Sequence, residues 1–111
     1  MSKATQFIQD GRVLDYLNPT TNAIQYLDII AGTGRLFIAA ETIMPQEMGS
    51  VFAEGVFELP KASEAFTFGQ AVYYNATNRN ITGTAAGNLL AGYATAPVAA
   101  NVATAHIKIN A

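Results

Sequence analysis

Few residues in this 111-residue sequence have the types and spacing needed for acid–base or nucleophilic chemistry. The single histidine, His106, falls on the polar side of an alternating stretch, beside Thr104 and Lys108. A Ser-His-Asp triad needs a carboxylate that orients the histidine and a nucleophile that it activates, and no feature of the sequence supplies that arrangement. We therefore interpret His106 as a solvated strand residue.

Two glutamates four residues apart, Glu54 and Glu58, invite comparison with the carboxylate pair of glycosidases. On one continuous strand both would face the same side, about 13 Å apart at roughly 3.3 Å per residue. Catalytic carboxylate pairs lie about 5 to 9.5 Å apart, so this spacing is too wide unless a bulge at Gly55 shortens it. We expect solvated or interface carboxylates.

Metal, cofactor and nucleic-acid sites are not indicated either. The sequence has no cysteine and one histidine, which excludes thiolate ligands and leaves no imidazole cluster. Gly32-Thr33-Gly34-Arg35 resembles part of a phosphate loop, but it lacks the Gly-Lys-Ser/Thr ending and is more typical of a hairpin turn. A net charge of −2, with the basic residues scattered, offers no footprint for nucleic acid. We expect a non-enzymatic protein without cofactors.

Short apolar runs separated by Gly, Pro and Asn predict an all-β fold, either a small β-barrel or a β-sandwich. One short helical turn is predicted for Pro60–Ala65, because proline suits the first helical position. The stretch from 80 to 105 lacks charge, but glycine, proline and asparagine interrupt it too often for a membrane-spanning helix. The predicted strands are Thr5–Gln9, Val13–Leu17, Ile24–Ile30, Arg35–Ala40, Ser50–Phe57, Ala71–Asn75, Asn80–Thr82, Leu89–Ala94 and Ala103–Asn110.

The chain is predicted to divide into an N-terminal arm, residues 1–11, and a single β domain, residues 12–111. The arm is polar, with Phe7 and Ile8 as its only large apolar residues. It is either a frayed end or an arm that orders on a neighbouring subunit. In the second case Gln6, Phe7, Ile8 and Gln9 are the expected contacts with another chain.

The charge content favours an assembly. Only 13% of residues are charged, against a usual share of roughly 25%. Burial of part of the surface against other chains explains this value. The alternative is an Ala- and Gly-rich chain whose surface is simply neutral.

Motifs along nearly the whole chain resemble the tailed-bacteriophage capsid cement, or decoration, proteins, a family once described as a domain of unknown function and sometimes labelled recombinase-like. The most specific motif is Gly-Ser-Val-Phe-Ala-Glu-Gly-Val-Phe-Glu-Leu-Pro-Lys-Ala over residues 49–62. Two departures are a loose match over residues 28–34 and Gln70 where the family usually has Asp. The other matching segments are 6–11, 68–75, 81–82, 90–94 and 105–110.

The resemblance implies a virion protein without catalytic residues that lies on the outer surface of the phage head. It also implies binding to the major capsid protein and a homo-oligomer, with a trimer favoured, made in the host cytoplasm. The arm residues named above would then contact the capsid or a neighbouring subunit.

Two other functions compete with this interpretation. One is a tail- or baseplate-associated β-module that binds another virion protein or a host glycan. The other is a recombinase or other enzyme, which has no nucleotide-binding loop to support it. The aromatic candidates for glycan binding are Tyr16, Tyr26, Tyr73, Tyr74 and Tyr93.

Overall fold

A computed structural model describes residues 11–110, and it forms nine β-strands over that range. No described residue is helical, and so no described helix is long and apolar enough to cross a membrane. The strands are β1 (Val13–Leu17), β2 (Ile29–Ala31), β3 (Leu36–Ala39), β4 (Met48–Phe52), β5 (Gly55–Pro60), β6 (Ala71–Asn75), β7 (Asn80–Thr82), β8 (Leu89–Ala94) and β9 (Thr104–Ile109).

The strands form two antiparallel sheets in a sandwich-like arrangement, which confirms the all-β prediction. The first sheet has the strand order β1-β4-β3-β2, and the second has the order β5-β9-β8-β6-β7. Of the two predicted architectures, the sandwich describes the structure, because neither sheet closes into a barrel. The alternation predicted for the last strand is confirmed in β9, where Ala105, Ile107 and Ile109 are buried while His106 and Lys108 are exposed.

Ser50–Phe57 is not one strand, as predicted, but the junction of the two sheets. Its first part belongs to β4 and its last part to β5, and the chain bends at Ala53 and Glu54 between them. Gly55 has a backbone φ of 131°, a value that residues with a Cβ atom rarely adopt. The bend therefore depends on a glycine that the alternating pattern hides.

The predicted helical turn at Pro60–Ala65 is also wrong. Pro60 is the last residue of β5, where it lies opposite Thr104 of β9. The amide nitrogens that follow it bond across the fold, Lys61 to the Ala103 carbonyl and Ala62 to the Ile81 carbonyl, both within 2.9 Å. These long-range hydrogen bonds take the donors that a helical turn would have needed nearby.

The two sheets are built on one repeated plan, which divides the described chain into a first repeat, residues 12–53, and a second repeat, residues 55–110. In order of position, β1, β4, β3 and β2 of the first sheet correspond to β5, β9, β8 and β6 of the second. The order along the chain also agrees, since β1, β2, β3 and β4 correspond in turn to β5, β6, β8 and β9. The second repeat contains one additional strand, β7.

Residue pairing follows the same plan in both repeats. In the first repeat Asp15 lies opposite Ser50, and at the corresponding place in the second Glu58 lies opposite His106. An isolated bridge between Ile24 and Ile43 has its counterpart between Phe66 and Val98. Leu27 and Gly69, with φ values of 70° and 79°, occupy equivalent turns, and their amides donate to Ala39 and Ala94.

The repeats join through apolar packing and one asparagine. Leu36 and Ile38 of β3 belong to the same buried cluster as Ile107 and Ile109 of β9. Asn110 lies beside this contact. Its side-chain amide donates to the carbonyls of Leu36 and Ala53, each at 2.6 Å, and its Oδ1 accepts from the Leu36 amide at 3.1 Å. The end of the second repeat is thereby tied to the first.

Candidate interaction surfaces

A groove of about 640 Å³ opens between the two repeats, beside the outer edge of β2. Its apolar wall contains Tyr16, Ile24 and Ile30 from the first repeat, all half-buried. Leu59 and Tyr74 of the second repeat line the other side. No described residue pairs with the outer edge of β2, since that strand ends the first sheet. The groove thus combines an apolar wall with free backbone hydrogen-bonding groups.

The groove also has charged residues in its lining. Asp28, Glu58 and Arg79 contribute to its lining, and the Asp28 carboxylate accepts a hydrogen bond from the Gln25 amide at 2.9 Å. Burial raises the pKa of the Tyr74 phenol above its usual value of 10.0, while the nearby charge of Arg79 opposes that shift. Tyr74 is therefore a neutral, largely apolar part of the groove at physiological pH.

Each repeat presents one exposed aromatic side chain at an equivalent turn. Tyr26 is 59% exposed and Phe68 is 72% exposed, and each lies directly before the turn residue with positive φ. The turns are closed by bonds from Asp28 to Gln25 and from Gln70 to Thr67. Large aromatic rings held in solvent by an ordered turn are candidates for contact with another chain.

A second apolar surface lies on the outer face of the first sheet. Leu17 and Met48 are direct cross-strand neighbours in β1 and β4, and they are 49% and 63% exposed. Val13 continues this face at the other end of β1 and is also exposed. At the corresponding place in the second sheet the cross-strand pair is Pro60 and Thr104. The two repeats therefore expose different chemistry on the same scaffold.

Of the residues considered above for acid–base chemistry, His106 and Glu58 are in contact with each other. His106 Nε2 lies 3.2 Å from Glu58 Oε1, and both side chains are more than half exposed. Glu54 lies in the bend before β5 rather than on the strand, so the assumption that both glutamates share one strand is wrong. Across residues 11–110 no three His, Cys, Asp or Glu side chains come together as metal ligands. A solvated His106 with a cross-strand partner agrees with its predicted role.

The glycine loop and the asparagine loop are ordinary turns. Gly32-Thr33-Gly34-Arg35 joins β2 to β3, and the Gly32 amide donates to the Arg35 carbonyl at 2.8 Å. Between β6 and β7 the Asn75 side chain accepts from the amides of Thr77 and Asn78. The first agrees with the hairpin turn predicted from the sequence, and the second is closed by the Asn75 side chain.

Gln6, Phe7, Ile8 and Gln9, the predicted contact residues, lie outside the described residues. The groove itself was not predicted, because its wall combines residues of β1, β2 and the second repeat that are far apart in the chain. Leu17 and Met48 were not singled out either. Leu17 ends the predicted strand Val13–Leu17, but Met48 precedes the predicted strand Ser50–Phe57, so no sequence signal indicated that the two are cross-strand neighbours.

Comparison with known proteins gives one positive result. A family model described as phage cement protein matches residues 8–109, a span that contains nearly all of both repeats. No curated protein and no solved structure matches the chain.

Proposed function

This chain belongs to the phage cement protein family, and we propose that it decorates the phage head by binding the outer surface of the major capsid protein. The observation that carries the proposal is the family match over residues 8–109. That membership makes the chain a structural, capsid-associated protein of the virion. Attachment to the outside of the head and stabilisation of the shell are the further parts of the proposal.

The surface chemistry supports an adhesive role. A low charge content is combined with exposed apolar groups that repeat or pair, such as Tyr26 with Phe68 and Leu17 with Met48. Burial of such side chains yields about 25 cal/mol per Å² of apolar surface. Many copies of a modest interface on one symmetric shell add up to strong attachment, since each bound copy restrains its neighbours.

We propose two contact regions. One is the arm, through Gln6, Phe7, Ile8 and Gln9, which reaches a capsid protein or a neighbouring copy. The other is the outer face of the first sheet around Leu17 and Met48, where the second sheet instead has Pro60 and Thr104. The chain acts as a homo-oligomer, with a trimer favoured, because capsomers present contact sites in symmetric sets.

The test compares phage heads with and without this protein. Heads that lack it should rupture at a lower temperature and under a milder osmotic shock than complete heads. Adding the purified full-length chain back should restore the original rupture temperature. Gold-labelled chain should be found on heads and not on tails.

Two results would overturn the proposal. One is a protein absent from purified virions whose loss leaves the rupture temperature unchanged. The other is label confined to the tail, which would favour a tail or baseplate module.

A further inference from the structure

The two repeats differ by one strand, and this difference defines the groove. In the second repeat β7 pairs with the outer edge of β6, and Ile81 at its centre is fully buried. Ile81 also forms a parallel bridge with Lys61, the residue after β5. The first repeat has β2 and β1 at the corresponding places, but no described strand between them. The first sheet therefore lacks the strand that covers the second.

Exposure of equivalent residues shows the effect of the missing strand. Leu59, Phe66 and Val72 point to the interior of the second repeat and are 3%, 2% and 0% exposed. Their counterparts in the first repeat are Tyr16, Ile24 and Ile30, as the shared register and bridges require. All three counterparts are only half-buried.

Interior positions that lie away from the missing strand do not show this difference. Ala39 and Val51 of the first repeat are as deeply buried as Ala94 and Ile107 of the second. The loss of burial relative to the second repeat is thus found at Tyr16, Ile24 and Ile30, beside the place of the missing strand. Tyr16, Ile24 and Ile30 are also the apolar wall of the 640 Å³ groove, so the groove lies where β7 lies in the second repeat.

Contacts at the end of β7 support this assignment. Glu64 accepts hydrogen bonds from Thr82 and Gly83, at 2.5 and 3.1 Å, and so receives the end of the strand. The residues that correspond to Phe66 and Gln70, which lie beside Gly83, are Ile24 and Asp28. Both of these line the groove.

We propose that the groove receives residues 5–9 of a second copy of this chain, which pair with Ala31 at the end of β2 and with the turn residues that follow it, as β7 pairs with Tyr73 and the two residues after it. Ile8 takes the place of Ile81, and Gln9 then lies opposite Ala31, as Thr82 lies opposite Tyr73. Adding a strand to a free sheet edge satisfies backbone groups on both chains, and one apolar side chain in a pocket fixes the register. The Thr5–Gln9 segment has the composition of such a strand.

Strand direction decides between the same chain and a second copy. A strand placed like β7 runs parallel to β1, because β7 bridges the end of β5 in the parallel sense. Its last residue then lies near the end of β1, roughly 16 Å from where β1 begins, at about 3.3 Å per residue. Residue 9 precedes Val13, where β1 begins, by four positions, a reach of at most roughly 14 Å, which is shorter than the span required. The same chain therefore cannot fill the groove in this direction, whereas a neighbouring copy can.

Disulfide trapping tests this arrangement on the full-length chain, which has no cysteine of its own. One variant carries Gln9→Cys and another carries Ala31→Cys, an exposed position on β2. Mixing and oxidising the two should shift most of the protein to a covalent heterodimer on a non-reducing gel. Adding Ile8→Asp to the Gln9→Cys chain should abolish that shift. The matched control replaces Ala31→Cys by Ala76→Cys, in the exposed turn between β6 and β7.

The proposal fails if the Ala31→Cys mixture yields no more heterodimer than the Ala76→Cys mixture. It also fails if a chain carrying both Gln9→Cys and Ala31→Cys oxidises to a monomer with an internal disulfide, since that result places the arm in its own groove. The inference rests on the proposed function only for the contact role of the arm. A separate measurement of how much protein binds to heads distinguishes failure of this inference from failure of the proposed function. Attachment to the capsid through the outer face of the first sheet should persist when arm exchange is lost.

Discussion

Asn18 and Lys61 occupy the same place in the two repeats and perform the same task with different chemistry. Each is the first residue after the opening strand of its repeat, and they are 0% and 7% exposed. Asn18 Nδ2 donates to the carbonyls of Asn22 and Ile43 at 2.8 and 3.0 Å. Lys61 Nζ donates to three carbonyls, those of Ala62, Ala100 and Val102, at 2.8 to 3.2 Å. A buried donor thus closes one end of each repeat.

Lys61→Met should destabilise the protein strongly. The substitution keeps much of the aliphatic stem that packs near Phe66, but it leaves three carbonyls without their donor. Hydrogen bonds to charged groups contribute about 1.5–3 kcal/mol each, and relaxation recovers part of the loss, so we expect about 2–4 kcal/mol. Urea unfolding followed by circular dichroism measures the change.

Lys108→Met is the matched control, because Lys108 is exposed on β9. It should change the free energy of unfolding by less than about 0.5 kcal/mol. Equal changes in the free energy of unfolding for the two substitutions would show that the hydrogen bonds from Lys61 Nζ to its three carbonyls do not stabilise the fold.

Asn110→Gly tests the connection between the repeats. Asn110 has a φ of 57°, and glycine keeps that backbone conformation while removing the hydrogen bonds to Leu36 and Ala53. Three partly buried hydrogen bonds at about 1 kcal/mol each predict a loss of about 2–3 kcal/mol. Thermal unfolding is the measurement, and Asn101→Gly, at an exposed turn, is the control. A stability equal to that of the control would mean that apolar packing alone joins the repeats.

Much of the fold follows from local sequence patterns. Val13–Leu17, Ala71–Asn75, Asn80–Thr82 and Leu89–Ala94 are strands with the predicted bounds, because β-branched and aromatic residues lie between clear turn signals. Ser50–Phe57 was predicted wrongly because its apolar residues continue across the bend at Ala53 and Glu54. The alternation of apolar residues does not show where the chain leaves one sheet and enters the other.

The repeated plan and the groove were beyond the reach of the sequence because equivalent residues share little chemistry. Asn18 corresponds to Lys61 and Ile24 to Phe66, so the repeat is preserved in backbone pairing and not in side-chain identity. The sequence predicts Lys61 to lie in a helical turn, Pro60–Ala65. Its three carbonyl partners lie up to 41 residues away, a relationship that no local pattern contains.

Gly92→Ala should be among the most damaging single substitutions. Gly92 has a φ of 149° in β8, next to the irregularity in its pairing with β6, and an added Cβ would collide with the Lys108 backbone carbonyl. Backbone strain and the collision in a buried strand together predict a loss of about 3 kcal/mol or more. Gly34→Ala, in the open hairpin turn, is the control and should be nearly neutral. Soluble yield and melting temperature report both effects, and equal stability of the Gly92→Ala and Gly34→Ala variants contradicts the close approach of β8 and β9.

Stability should decline in alkaline solution partly through Tyr74. Its pKa is raised in the folded protein, so as the pH passes 10.0 the unfolded chain releases the phenol proton before the folded chain does. The unfolded state then gains free energy from ionisation, and the contribution of Tyr74 to stability, fully present below pH 10, is lost above it. Tyr74→Phe should make the decline shallower in urea titrations at several pH values. Tyr26→Phe, in an exposed turn, should leave the decline unchanged, and equal slopes for both variants contradict the assignment to Tyr74.

Leu17→Ser with Met48→Ser should weaken binding to phage heads without unfolding the protein. The two side chains are cross-strand neighbours and each is about half exposed or more, so their replacement removes little buried area from the free protein. On a head, the same side chains would lose the apolar burial that drives attachment, and the loss repeats at every copy. Cosedimentation of full-length variants with heads that lack the native protein should show lower occupancy at equal protein concentration. The matched control is Val56→Ser with Lys108→Ser, the cross-strand pair on the outer face of the second sheet. Unchanged occupancy for the first pair, or an equal loss for both, rules out the first-sheet face as the capsid contact.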